Sequence, residues 1–126
     1  MDAPNPSQTF DVAGLLDRLG GDWEFLKEIA GVFLDDCPRL LAEIHKAVLS
    51  HDSERLEHAA HALKGAVSNF GAESARRAAF QLEELGRAKN LVPAAEAYST
   101  LERELGQFTQ ELARLSRELS SRQANR

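Results

Sequence analysis

Residues 26–47 read LKEIAGVFLDDCPRLLAEIHKA. Within them Leu26, Ala30, Phe33, Cys37, Leu40, Ile44 and Ala47 recur at alternating intervals of four and three residues. A helix returns such positions to one side of the chain, because it turns about 100° per residue. A strand would instead bury every second residue. The segment predicts a long helix with one apolar stripe, entered at Asp22, whose carboxylate suits an N-cap. Pro38 falls inside it, removes one intrahelical hydrogen bond and predicts a kink.

The reading extends in both directions. DVAGLLDRLGG (11–21) predicts a short first helix capped by Asp11 and stopped by Gly20 and Gly21. SHDSERLEHAAHALKGAVSNFG (50–71) predicts a third helix, with Asp52 or Ser53 as N-cap and Gly71 as its stop. A fourth turns Ala75, Ala79, Leu82 and Leu85 inward, small residues that let it lie close to a neighbour. Pro93 opens the last helix, whose stripe is Leu101, Leu105, Phe108, Leu112, Leu115 and Leu119. Four long amphipathic helices with short loops predict an all-α, antiparallel four-helix bundle, the short first helix covering one end. Residues 1–9 are expected to be a flexible lead-in, 10–120 the domain and 121–126 a flexible tail.

Composition narrows the function. The 126 residues suffice for one domain with a real core. The net charge of -5 argues against nucleic acid as main partner. No apolar run reaches the length of a membrane span, and no signal-peptide pattern opens the chain. The single cysteine, Cys37, excludes an internal disulfide and a multi-cysteine metal site. It reads as a small apolar residue in a reducing compartment, so the expected location is cytoplasmic.

The third helix carries the chemistry. On a helical wheel with His61 at zero, Leu56, Ala59, Leu63, Ala66 and Phe70 fall opposite as the core stripe, with Ala60 and Val67 on its flank. Glu54, Glu57, Lys64, Gly65 and Ser68 fall within about 60° of His61. His61 therefore points to solvent, with Lys64 and Gly65 one turn further along. A mid-helix glycine costs roughly 1 kcal/mol against alanine, so Gly65 calls for a reason. Neutral imidazole is a good nucleophile toward phosphorus, a nearby ammonium pairs with phosphoryl oxygens, and a bare glycine lets a partner approach.

HALKGAVSNFGA (61–72) resembles the motif of histidine-containing phosphotransfer (HPt) domains, a phosphorylatable histidine followed by x-Leu-Lys-Gly, small residues and Gly-Ala. LLDRLGGDWEFLKEIAGVFLDDCPRLLAEI (15–44) resembles their entry segment, including the proline, and QLEELGR (81–87) stands where their fourth helix does. The resemblance spans about residues 10 to 115. It implies that His61 receives a phosphoryl group from an aspartyl phosphate on a receiver domain, or returns one to it. Lys64 would neutralise the phosphate, Gly65 would leave room for the receiver, and Ser68, on the same stripe, would lie within reach of either. By position the polar residue that members carry on the fourth helix is Glu83 or Arg87. A carboxylate would repel a phosphate, so Arg87 is the expected neighbour and the role of Glu83 is left open. The resemblance implies a phosphoryl carrier, not an enzyme, with no cofactor of its own; the receiver supplies aspartate and magnesium. The carrier is expected to be a monomer, the last helix being the surface a dimer would use. Lys64→Ala is expected to slow transfer without loss of stability.

Other readings are weaker. His58 lies one turn before His61 without Lys and Gly at the right offsets, and His45 and His51 read as plain surface histidines. A di-metal bundle needs inward Glu-x-x-His pairs on two helices, which the chain lacks. A kinase dimerisation hairpin resembles a helical pair with an acidic residue directly after the histidine; here Ala62 follows, and no Gly-rich nucleotide segment exists. A helical adaptor that binds a receiver or kinase without phosphorylation is the remaining alternative, and it would tolerate loss of His61.

Overall fold

The computed structural model describes residues 9–124. Five helices follow in order: α1 (Val12–Arg18), α2 (Trp23–Leu49), α3 (Ser53–Ser68), α4 (Glu73–Arg87) and α5 (Ala94–Ala124). Aspartates enter the first three. Asp11, Asp22 and Asp52 each accept the backbone N–H three residues on, from Gly14, Phe25 and Arg55, at 3.0–3.1 Å. These bonds satisfy donors that a helix start leaves open.

The exits share one geometry. The residues at 20, 51, 71 and 89 all have φ between 53° and 70°. In each case the following N–H bonds five residues back: Gly21 to Leu16, Asp52 to Ala47, Ala72 to Val67 and Asn90 to Leu85. This closure satisfies the last carbonyls. Gly20 and Gly71 are the stops expected from the chain. His51 and Lys89 reach the same left-handed conformation without being glycine, which no local signal announced.

α2 packs against α3 and α5, and α4 closes the ring against the same two helices. The stripe expected on α2 is buried at all seven positions, and the helix continues through Pro38. On α3 the stripe is rotated from the wheel reading. Leu56, Ala60, Leu63 and Val67 are buried, while Ala59 and Ala66 sit at the edge. A helix wedged between two neighbours buries the bisector of its two contacts, which one-sided periodicity does not locate. On α4, Leu85 is only half-buried; Ala78, Glu83 and Gly86 join Ala75, Ala79 and Leu82 inside. On α5, Leu101, Leu105, Phe108, Leu112 and Leu119 are buried and Leu115 is half-buried.

Phe10, Phe33, Phe70 and Phe108 meet with ring centroids 5.2–5.6 Å apart, Phe10 standing edge-on to Phe108. With buried Leu15, this cluster joins α1 and its entry segment to the bundle. Thr9 donates through its backbone N–H and hydroxyl to Glu111 on α5, at 2.8 and 2.9 Å. The flexible lead-in expected over 1–9 therefore meets a tethered residue at Thr9; residues 1–8 lie outside the described residues. α5 runs as helix through 121–124, where a flexible tail was expected, and 125–126 lie outside the described residues.

α3 and α4 approach closely at Gly86. A methyl group there would sit 2.7 Å from the Glu57 backbone nitrogen and 2.7 Å from the Ser53 carbonyl oxygen. Real carbon atoms do not tolerate this against main chain, so only glycine lets α4 lie in this register.

Candidate functional site

The register set at Gly86 decides the site. In antiparallel helices, one turn back along α4 is one turn forward along α3. Gly86 faces Glu57, so Glu83 faces His61 and Lys64.

Glu83 has its side chain only 3% exposed, while that of His61 is 67% exposed. Glu83 Oε2 lies 3.0 Å from His61 Nδ1. Its Oε1 lies 2.7 Å from Lys64 Nζ. Arg87 Nη2 donates to Oε2 at 2.9 Å. Burial alone would raise the Glu83 carboxyl, but the hydrogen bonds and charges of Lys64 and His61 outweigh it and hold the group below the usual carboxylate range. Glu83 is thus an ionised carboxylate at neutral pH.

An ionised carboxylate only accepts, so Nδ1 of a neutral His61 ring carries the proton and donates. That leaves Nε2 with its lone pair, and no partner reaches it among the described residues. The ring is held at one edge and open at the other.

Lys64 is not the free surface lysine that the wheel suggested. Its side chain is 22% exposed, and its ammonium also lies 4.9 Å from the Phe80 ring centroid, a cation–π contact. Lys64→Ala is therefore expected to destabilise by about 1–3 kcal/mol, because it strips one cation from a buried carboxylate. It is also expected to slow phosphoryl acceptance. Urea denaturation checks the first effect, and an unchanged midpoint would contradict the buried pairing.

The other expected site residues divide. Gly65 has open space around it: a methyl there would meet nothing within 4 Å. Packing does not require this glycine. Ser68 donates its hydroxyl to the Lys64 carbonyl at 2.7 Å, a local bond within α3 that leaves it half-buried beside the site. Arg87, expected as the phosphate neighbour, spends its guanidinium on carboxylates. Its Nε donates to Glu57 at 3.1 Å, Nη1 to Glu84 and Nη2 to Glu83. It reaches His61 only through Glu83. The side chain beside the histidine is the carboxylate whose role the sequence left open. The signal for it was Glu83-x-x-Gly86 on the face of Ala79 and Leu82, legible only once Gly86 is known to touch α3. His58 is exposed, and His45 stacks on Tyr98 with centroids 4.8 Å apart.

The Hpt domain family matches residues 28–120. The chain belongs to the Hpt family. Within that family it is a histidine phosphotransfer module of a two-component phosphorelay, and its counterparts are receiver domains of response regulators. The fold also matches the crystal structure of histidine-containing phosphotransfer protein B (HptB) from Pseudomonas aeruginosa PAO1. The two are 25% identical with a TM-score of 0.81, over 93% of this chain and 98% of that one. No curated protein matches the chain. In this Hpt domain no described helix is long and apolar enough to cross a membrane.

Proposed function

We propose that His61 is the phosphoacceptor of this Hpt domain and that Nε2 is the attacking atom. The observation that carries this is the exposed ring whose Nδ1 is tied to a buried carboxylate, with a lysine beside it and a bare glycine one turn above. The Nε2 lone pair attacks phosphorus of a receiver's aspartyl phosphate. The N–P bond forms as the P–O bond to the aspartate breaks, and the aspartate leaves as a carboxylate. Nδ1 keeps its proton, so the phosphorylated ring is a cation. Lys64 is close enough on the same face to exchange part of its contact with Glu83 for phosphoryl oxygens.

The domain acts as a carrier, not as an enzyme with its own ATP site. The magnesium and the second reactive group belong to the receiver. α5 turns its apolar stripe into the bundle core, which supports a monomer over a dimer built on that helix. A cytoplasmic location fits the lone Cys37, whose thiol burial pushes up to about 11 and so keeps unreactive.

The receiver is expected to cover the apolar groove between α2 and the C-terminal end of α3. The groove has a volume of about 480 Å³ and is lined by Phe25, Ile29 and Val32 of α2, Ala66 of α3, and Asn69 and Phe70 just beyond it. Val32 is 69% exposed, so a charge there should not disturb the fold. Val32→Glu is expected to lower the rate of transfer from a receiver at least about tenfold, the cost of a charge at the centre of a contact. Labelling by a small-molecule phosphodonor should be unchanged. Equal losses with both donors would place the effect in the site rather than in docking.

The test of the function itself is transfer from a phosphorylated receiver. Acid-labile, base-stable label is expected on the protein and located at His61 by mass spectrometry. No label with several receivers would leave a helical adaptor.

A further inference from the structure

Phe80 stands outside the stripe that α4 buries. Ala75, Ala78, Ala79 and Leu82 enter the core, while Phe80 is 40% exposed. A single exposed aromatic needs no explanation by itself. This one has a charged neighbour: the Lys64 ammonium lies over its face, 4.9 Å from the ring centroid. Phe80 is one turn before Glu83 on α4. The same ammonium is thus shared between an aromatic face and Glu83 Oε1, 2.7 Å away. Resting on His61 as phosphoacceptor and Lys64 as the phosphate's neighbour, we propose that Phe80 is a positioning residue. Its ring holds the Lys64 ammonium beside His61 while the lysine changes partner from Glu83 to the phosphoryl group.

The two partners of Lys64 act differently on its charge. A carboxylate holds an ammonium by neutralising it. Glu83 is buried, so little water weakens the pair, and a lysine held only there is drawn inward with little charge left for a phosphate. An aromatic face attracts the cation through its quadrupole and leaves the net charge in place. Phe80 is the more exposed of the two partners, so it draws the ammonium outward, toward the solvent side where His61 stands. The pull of the ring is greatest when the ammonium is least neutralised, which is when it has loosened from Glu83 and not yet closed on phosphoryl oxygens. The ring therefore favours the transfer more than the resting state, the condition for an effect on rate.

The carboxylate tolerates the exchange. When Lys64 moves, Arg87 still donates to Glu83 Oε2 at 2.9 Å, and His61 Nδ1 stays 3.0 Å from the same oxygen. No bond is made or broken at Phe80 or Lys64 and no proton moves there; the covalent exchange stays between His61 Nε2 and the receiver's aspartate. A leucine at 80 would fill much of the same space without a quadrupole. It would leave the lysine's flexible four-carbon stem free to carry the ammonium elsewhere once it let go of Glu83.

The test uses the full chain as wild type, Phe80→Leu, Phe80→Tyr, Lys64→Ala and the Phe80→Leu, Lys64→Ala double variant. Phosphoryl acceptance is timed with phosphoramidate and with a phosphorylated, magnesium-loaded receiver domain. Phe80→Leu is expected to slow acceptance about three- to tenfold with both donors, the range that one cation–π contact spans. Phe80→Tyr, which keeps the ring face, is expected to recover most of the rate. On the Lys64→Ala background, Phe80→Leu is expected to slow nothing further, because the ring then has no ammonium to hold. A loss of equal size with and without Lys64 would reduce Phe80 to a structural role. A loss confined to the receiver would make it a docking contact, and either result overturns the proposal. A second measurement needs no variant to fold. In the NMR spectrum of the wild type, the Lys64 ε-methylene protons are expected upfield of the usual lysine position, shifted by the Phe80 ring current, both before and after phosphorylation. Unshifted protons in either state would overturn the proposal. Absence of label at wild-type His61, or a Lys64→Ala variant as fast as wild type, would instead overturn the site reading, and this proposal with it.

Discussion

His61→Gln is expected to reduce phosphoryl acceptance to background while the protein stays folded. The loss should be total because the ring nitrogen is the nucleophile and forms the covalent bond; an amide offers no lone pair of comparable reactivity. The fold should survive for two reasons. The His61 side chain is two-thirds exposed and contributes little to the core. A glutamine side-chain amide can also donate to Glu83 Oε2 in place of Nδ1–H, so the buried carboxylate keeps its partners. His58→Gln, one turn away and exposed, should keep its label. Acid-labile label retained by His61→Gln and lost from His58→Gln would move the site by one turn.

Gly86→Ala and Gly65→Ala are expected to change stability in opposite directions. Both glycines lie within helices, where alanine is normally worth up to about 1 kcal/mol more. At Gly65 a methyl group meets nothing within 4 Å, so Gly65→Ala should stabilise by about 0.5–1 kcal/mol. At Gly86 the methyl is driven against the Glu57 nitrogen and the Ser53 oxygen, 2.7 Å away. Main-chain atoms of a packed helix cannot rotate aside, so the helices must part. The propensity gain is then overturned, with a net loss of about 1–3 kcal/mol. Transfer should fall as well, because α4 carries Glu83 away from His61. Denaturant midpoints measure both signs. A stabilised Gly86→Ala would mean that α3 and α4 do not approach as described.

The same two glycines show how far the chain could be read. Gly65 stood out because it shares a face with His61 and Lys64, a relation within one helix. Gly86 did not, because its reason lies on another helix. Likewise Gly20 and Gly71 announced their turns, while His51 and Lys89 adopt the same left-handed conformation with no residue preference to mark them.

The sequence by itself determined the five helices, the aspartates that start three of them, the buried stripe of α2 and the outward face bearing His61. These are properties of single helices, set by a period of 3.6 residues and by which side chains can cap a helix end. Only the tertiary structure decided which groups of α3 and α4 meet. That depends on how each helix is rotated about its axis and slid along its neighbour. A rotation of one position separates Ala59 and Ala66 from Ala60 and Val67 as the buried residues, and a register set by one glycine exchanges Arg87 for Glu83 beside the histidine. Local periodicity is blind to both, because they are fixed by the fit of two surfaces that lie more than twenty residues apart in the chain.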